Sequence, residues 1–106
     1  MDSTFRALAH PARRHILDLV KETPGATVRE VADHFDMSRI AVLKHINILD
    51  DADLLVSVKQ GRERRLHFNV VPIQTIHDRW TTEYSALWAG RLTQLKYRLE
   101  AEEEST

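Results

Sequence analysis

The sequence predicts a mainly α fold carrying one small β-hairpin. Three observations predict it. Apolar residues recur at three- and four-residue intervals through the first half of the chain. Between residues 54 and 70 the period drops to two on either side of a glycine turn. After Pro72 the helical period returns and continues almost to the end.

Each element has a local reason. Ser3 is read as the cap of a short helix over 3–9 whose apolar residues are Phe5 and Leu8. His10-Pro11 ends it, because proline disfavours helix in the residue before it and suits the first turn of the next helix. That helix carries Ile16, Leu17 and Val20 and stops before Pro24-Gly25. Thr27 and Glu30 form a capping-box pattern, followed by Val28, Val31, Ala32 and Phe35 on a helical face. After a short turn at Asp36-Met37, Ser38 caps a helix running to about Asp51. Leu54, Val56 and Val58 then alternate with Leu55, Ser57 and Lys59. Beyond Gln60-Gly61-Arg62-Glu63, Leu66, Phe68 and Val70 alternate with Arg65, His67 and Asn69. Two such runs around a turn make a hairpin whose apolar face covers the helices. Pro72 opens a last helix over 72–100, a rod of roughly 45 Å at about 1.5 Å per residue. One small domain cannot cover such a rod. Trp80, Tyr84, Leu87, Trp88, Leu92 and Leu95 are therefore expected to pack on the same helix of a second copy, with Phe5 and Leu8 beside them.

The 106 residues, 42% hydrophobic and 29% charged, suit a single domain over 1–106. No apolar run approaches the roughly 18 residues of a membrane span, and no apolar signal stretch opens the chain, so a cytoplasmic protein without a membrane partner is expected. The absence of cysteine excludes disulfides, thiolate metal sites and cysteine nucleophiles. Without a nucleophile motif, phosphate loop or cofactor fingerprint, neither enzyme activity nor a cofactor is expected. His10, His15, His34, His45, His67 and His77 show no paired ligand spacing, so no metal site is assigned. Histidine and carboxylate ligands meeting across a dimer stay open. The net charge of −1 is unevenly distributed. Glu100, Glu102, Glu103 and Glu104 crowd the end, while Lys59, Arg62, Arg64 and Arg65 crowd the hairpin. A local basic patch permits nucleic-acid binding.

Two short helices across a tight turn, within 27–51, followed by a hairpin over 54–70, make a winged helix-turn-helix. In such units the second helix enters the major groove of double-stranded DNA. On its wheel Val42, Ile46 and Leu49 fall together toward the core, while Ile40, Leu43, Lys44 and Asn47 fall outward and Arg39 projects from the first turn. Ser38 at the helix N-terminus suits a phosphate, Arg39 a guanine, Lys44 a phosphate and Asn47 a paired contact with adenine. Ile40 and Leu43 are the apolar members of this face, and the thymine methyl is what they could pack on. His45, on the flank of the helix, reads as structural. In the wing, alternation puts Arg64 on the side of Leu66, so Arg62 at the tip and Arg65 are the favoured DNA contacts.

The run Phe5-Arg6-Ala7-Leu8-Ala9-His10-Pro11-Ala12-Arg13-Arg14 resembles the start of ArsR-type winged-helix regulators, F-K-A-L-A-D-P-T-R-R. The segment from Val31 to Leu49 is similar to their L-A-x-x-F-x-M-S-Q-P-A-V-S-K-H-L-x-x-L, and Gly61-Arg62-Glu63-Arg64 matches G-R-x-R. Trp80, Tyr84 and Trp88 resemble the aromatic terminal helix of the family's cysteine-free branch. The resemblance covers nearly the whole chain. It implies a homodimeric, sequence-specific bacterial or archaeal transcription regulator, usually a repressor, with the first and last helices building the dimer. An inverted-repeat operator is expected. Where metal-sensing relatives carry Cys-x-Cys, this chain has Thr27 and Arg29. Arg39-Ile40 stands where Gln-Pro is common, and Asp53 replaces a frequent glycine. Two alternatives stay open: a winged helix that binds protein through its aromatic helix, and a regulator with an effector at the dimer interface.

Overall fold

A computed structural model of the chain describes the backbone of residues 1–81 and 85–104 and the side chains of 1–81 and 90–103. It contains α1 (Asp2–Leu8), α2 (Pro11–Glu22), β1 (Ala26–Thr27), α3 (Val28–Ala32), α4 (Arg39–Asp51), β2 (Leu55–Gln60), β3 (Glu63–Phe68), α5 (Val71–Thr81) and α6 (Ser85–Glu104). The chain divides into two units, Met1–Gln74 and Thr75–Thr106.

In the first unit the helices start and stop for chemical reasons. α1 begins at Asp2 with no side-chain cap, so Ser3 lies inside the helix and is not its cap. The C-terminus of α1 is capped from α2: Arg13 donates to the carbonyls of Ala7 (2.8 Å) and Arg6 (3.1 Å), and Arg14 to that of Leu8 (2.7 Å). The His10 ring accepts from the Ala12 amide as N-cap of α2, with Pro11 in the first turn. Thr27 and Glu30 complete the capping box that opens α3. Ser38 accepts from the Ala41 amide at 3.1 Å to open α4. α4 ends in a Schellman motif. The Leu54 amide donates to the Leu49 carbonyl and the Asp53 amide to that of Asp50, both at 2.9 Å, with Asp53 left-handed at φ 60°.

That cap decides which face of the wing is buried. Leu54 is already buried in closing the helix, so the inward parity of the strand starts at Leu55. Leu55 pairs with Phe68 and Ser57 with Leu66 on the inner face, whereas Val56 pairs with His67 and Val58 with Arg65 on the outer one. Val56 and Val58, expected inward, are exposed. A one-residue offset exchanges the two faces of a strand. The turn Gly61-Arg62 closes the hairpin with Gly61 at φ 62°, where a Cβ would be strained. A third strand, not anticipated, pairs Ala26 with Leu66 and Thr27 with Arg65, giving the order β1-β3-β2. The core beneath is Ile16, Leu17 and Val20 of α2, Val31 of α3, Val42, Ile46 and Leu49 of α4, and Leu54, Leu55 and Leu66 of the wing. Phe5 is half exposed at the surface of α1.

The second unit holds the end of α5 and all of α6. Leu92, Leu95 and Leu99 recur along α6 with Lys96, Glu100 and Glu103 and line one shallow face. Leu92 (63%), Leu95 (49%), Tyr97 (66%), Leu99 (53%) and Trp80 (60%) are largely exposed. The expected helix over 72–100 is described as α5 and α6. Its continuity through 82–84, with Tyr84, lies outside the described residues, as do the side chains of Leu87 and Trp88. Among the described residues, no helix is long and apolar enough to cross a membrane.

Candidate nucleic-acid interface

The candidate surface is assembled from α3, α4 and the wing. Burial of Val42, Ile46 and Leu49 rotates the opposite side of α4 outward. Ile40, Lys44 and Asn47 are exposed, Ile40 by 71%, and Leu43 is half-buried. Ser38 and Arg39 stand exposed at the helix start, where free amides and the dipole favour an anion. A concavity of about 440 Å³ runs between the three elements, lined by Val28 and Arg29 of α3, Arg39 and Leu43 of α4, and Arg62, Glu63 and Arg64 of the wing. Arg29, Arg39 and Arg62 are exposed on its rim. The one carboxylate there, Glu63, accepts from Arg65 at 3.1 Å, so its charge is compensated.

Arg39, Leu43 and Arg62 are thus brought together as the sequence suggested, and Ser38 is occupied as the cap of α4. Arg29 went unrecognised as a member of this surface. Its only signal was its exposed position on the helix preceding the turn. Arg65 sits on the other face of the strand, donating to the Gly25 carbonyl at 3.0 Å as well as to Glu63. Arg64 stays inward and reaches across to α4. Its Nε donates to Ser57 Oγ (2.8 Å), one terminal nitrogen to Asn47 Oδ1 (3.0 Å) and the other to Asp50 (2.8 Å). Asn47, read as a paired adenine contact, therefore already has its oxygen engaged.

His45 lies on the core-side flank of α4. Arg13 donates to its Nδ1 at 3.1 Å, and the His10 ring sits 4.5 Å away, tilted by 47°. Burial, then the charges of His10 and Arg13, hold its pKa below 6.5. A guanidinium has no acceptor, so the bond itself requires an unprotonated Nδ1. Among the described residues no three histidines or carboxylates cluster in a way that could hold a metal ion. His77 bonds its neighbours Asp78 and Thr81 instead.

A helix-turn-helix domain model matches residues 8–58. The chain is 35% identical over 85 residues to an uncharacterized HTH-type transcriptional regulator, YuzN, of Bacillus subtilis (strain 168), covering 74% of this chain and 92% of that one. It is 32% identical over 74 residues to the transcriptional repressor SdpR of Bacillus subtilis (strain 168), covering 70% and 81%. A crystal structure of an ArsR family transcriptional regulator superposes with a TM-score of 0.69 at 35% identity, over 83% of this chain and 89% of that one. These relatives are transcription regulators and not enzymes, and the helix-turn-helix is a DNA-binding unit. By sequence, fold and the placing of its recognition helix beside a basic wing, the chain belongs to the ArsR-type family of winged helix-turn-helix transcriptional regulators.

Proposed function

We propose that the protein is a homodimeric, cytoplasmic repressor that binds an inverted-repeat operator. The observation that carries this reading is the concavity between α3, α4 and the wing, rimmed by Arg29, Arg39 and Arg62 and open to the exposed face of α4. In it Ser38, Arg39, Ile40, Leu43, Lys44 and Asn47 meet the major groove, Arg39 toward base edges and Lys44 toward a phosphate. Arg62 carries the wing contact, and Arg65 supports it by holding Glu63. The protomer acts as one DNA-binding domain, with the helix-turn-helix over 27–51 and the wing over 54–70. The helices over 3–9 and 72–100 supply the dimer. Support for the latter is the apolar face Leu92, Leu95 and Leu99 exposed on α6 and the half-exposed Phe5 on α1. An operator occupied by such a dimer blocks polymerase, and the similarity to the repressor SdpR favours that outcome.

Titration of the purified protein against a duplex from its own promoter, with competitor DNA at several salt concentrations, tests this. Affinity should fall steeply with salt. Arg62→Ala should weaken binding to all sequences alike and flatten the salt slope by about one unit per lost phosphate contact. Arg39→Ala should chiefly flatten sequence preference. Specific binding untouched by both substitutions would remove this surface from consideration.

A further inference from the structure

Arg64 lies in the wing, yet each of its polar bonds points away from the hairpin tip. It gathers Ser57 of β2 and Asn47 and Asp50 of α4 onto one guanidinium. Asp50 supplies a charge-assisted anchor at 2.8 Å, the two side chains being 29% and 38% exposed. The bond at 3.0 Å to Asn47 then has a definite polarity. Arginine only donates, so the Asn47 atom facing it must be the carbonyl oxygen, and the amide NH2 is the end left over. Among the described residues that NH2 carries no hydrogen bond, and Asn47 is exposed one turn beyond Leu43 on the outward face of α4.

We infer that Arg64 is a specificity-positioning residue, which fixes Asn47 so that it offers a hydrogen-bond donor to the DNA and selects guanine over adenine at the base it meets. The inference rests on the DNA-binding reading above and adds the sense of one base contact. A paired contact with adenine needs the amide oxygen for the N6 amino group and the amide nitrogen for N7. Here Arg64 holds the oxygen. Guanine offers two acceptors, N7 and O6, and suits an amide whose oxygen is turned toward Arg64 and whose NH2 is turned outward. The same guanidinium ties both wing strands to α4. The guanidinium itself touches no base. It acts through Asn47.

Selection of bound duplexes from a random pool, with the full-length protein and three variants, tests this. The wild type should enrich guanine at one half-site position, and Asn47→Ala should lose roughly tenfold discrimination there. Arg64→Met releases the amide, and the preference at that position should move toward adenine while the others stay. Asn47→Asp keeps an acceptor for Arg64, so thermal unfolding should remain at or above the wild-type temperature while the guanine preference disappears. This variant decides the matter even if Arg64→Met folds poorly. A cytosine preference gained in Asn47→Asp would support the inference, because the second carboxylate oxygen then stands where the amide NH2 stood and accepts from the cytosine amino group, whereas a guanine preference retained in this folded variant would overturn it. An unchanged preference in a folded Arg64→Met would equally overturn it. Failure of the wild type to enrich any sequence would instead sink the DNA-binding reading, and this inference with it.

Discussion

His45 sits between α2 and α4 with a donor from Arg13 on one ring nitrogen and the His10 ring against its face. Its pKa is depressed, first by burial and then by His10 and Arg13. A histidine depressed in the folded state binds fewer protons folded than unfolded. Its contribution to stability is therefore complete above 6.5 and is lost as pH falls below 6.5 through the lower folded value. Urea denaturation from about pH 7 down to about pH 5 should show falling stability, with a shallower slope in His45→Gln. Equal slopes would contradict this role. Ile40 makes a second residue-level prediction. It is 71% exposed on the outward side of α4; if that side meets the major groove as proposed, replacing thymine by uracil in the half-site should cost about 1 kcal/mol at one position, and Ile40→Ser should abolish that loss. No loss at any position would remove the methyl contact. Several single residues were legible in sequence because their chemistry is local: Thr27 with Glu30, Ser38 as a cap, Asp53 as a stand-in for glycine at a left-handed position. Alternation placed Arg64 on the side of Leu66, where it lies, but its partners Asn47 and Asp50, 17 and 14 residues away, were not legible. A local pattern gives the face of a strand residue and not the distant groups that its side chain reaches.

At the scale of elements, helix identity followed from periodicity, and the wheel of α4 sorted Val42, Ile46 and Leu49 from Ile40 and Lys44 correctly. The wing was harder. Leu54 and Leu55 are both buried, one as the end of the α4 cap and the other as the start of β2. A pattern of alternation cannot tell which of two adjacent leucines sets the parity. The consequence is measurable. Val56→Thr or Val58→Thr should change stability by no more than about 0.5 kcal/mol, whereas Leu66→Ala should cost about 2–5 kcal/mol. If Val58→Thr proved as costly as Leu66→Ala in chemical denaturation, the assignment of faces would be inverted. The two-residue β1 escaped notice because its pairing partner, β3, lies far along the chain.

At the scale of the whole molecule, α6 leaves Leu92, Leu95 and Leu99 on one exposed face while unit Met1–Gln74 has its own core. Leu92→Glu combined with Leu95→Glu should give monomers by light scattering at micromolar concentration. The far-ultraviolet signal of the first unit should largely persist, and affinity for an inverted repeat should drop far more than affinity for nonspecific DNA. A double variant that stays dimeric would move the interface elsewhere. Dimerisation is an expectation that rests on an argument about covering area, and such an argument leaves the partner surface unspecified.

The arrangement proposed has two α4 helices reading DNA across a two-fold axis. It is tested most directly by the symmetry of the sequence enriched when the full-length protein selects from random duplexes. The enriched sequence should be an inverted repeat whose half-site centres lie about 34 Å apart, roughly 10 base pairs or a multiple of it. An enriched site without two-fold symmetry, or no enrichment over the starting pool, would contradict it.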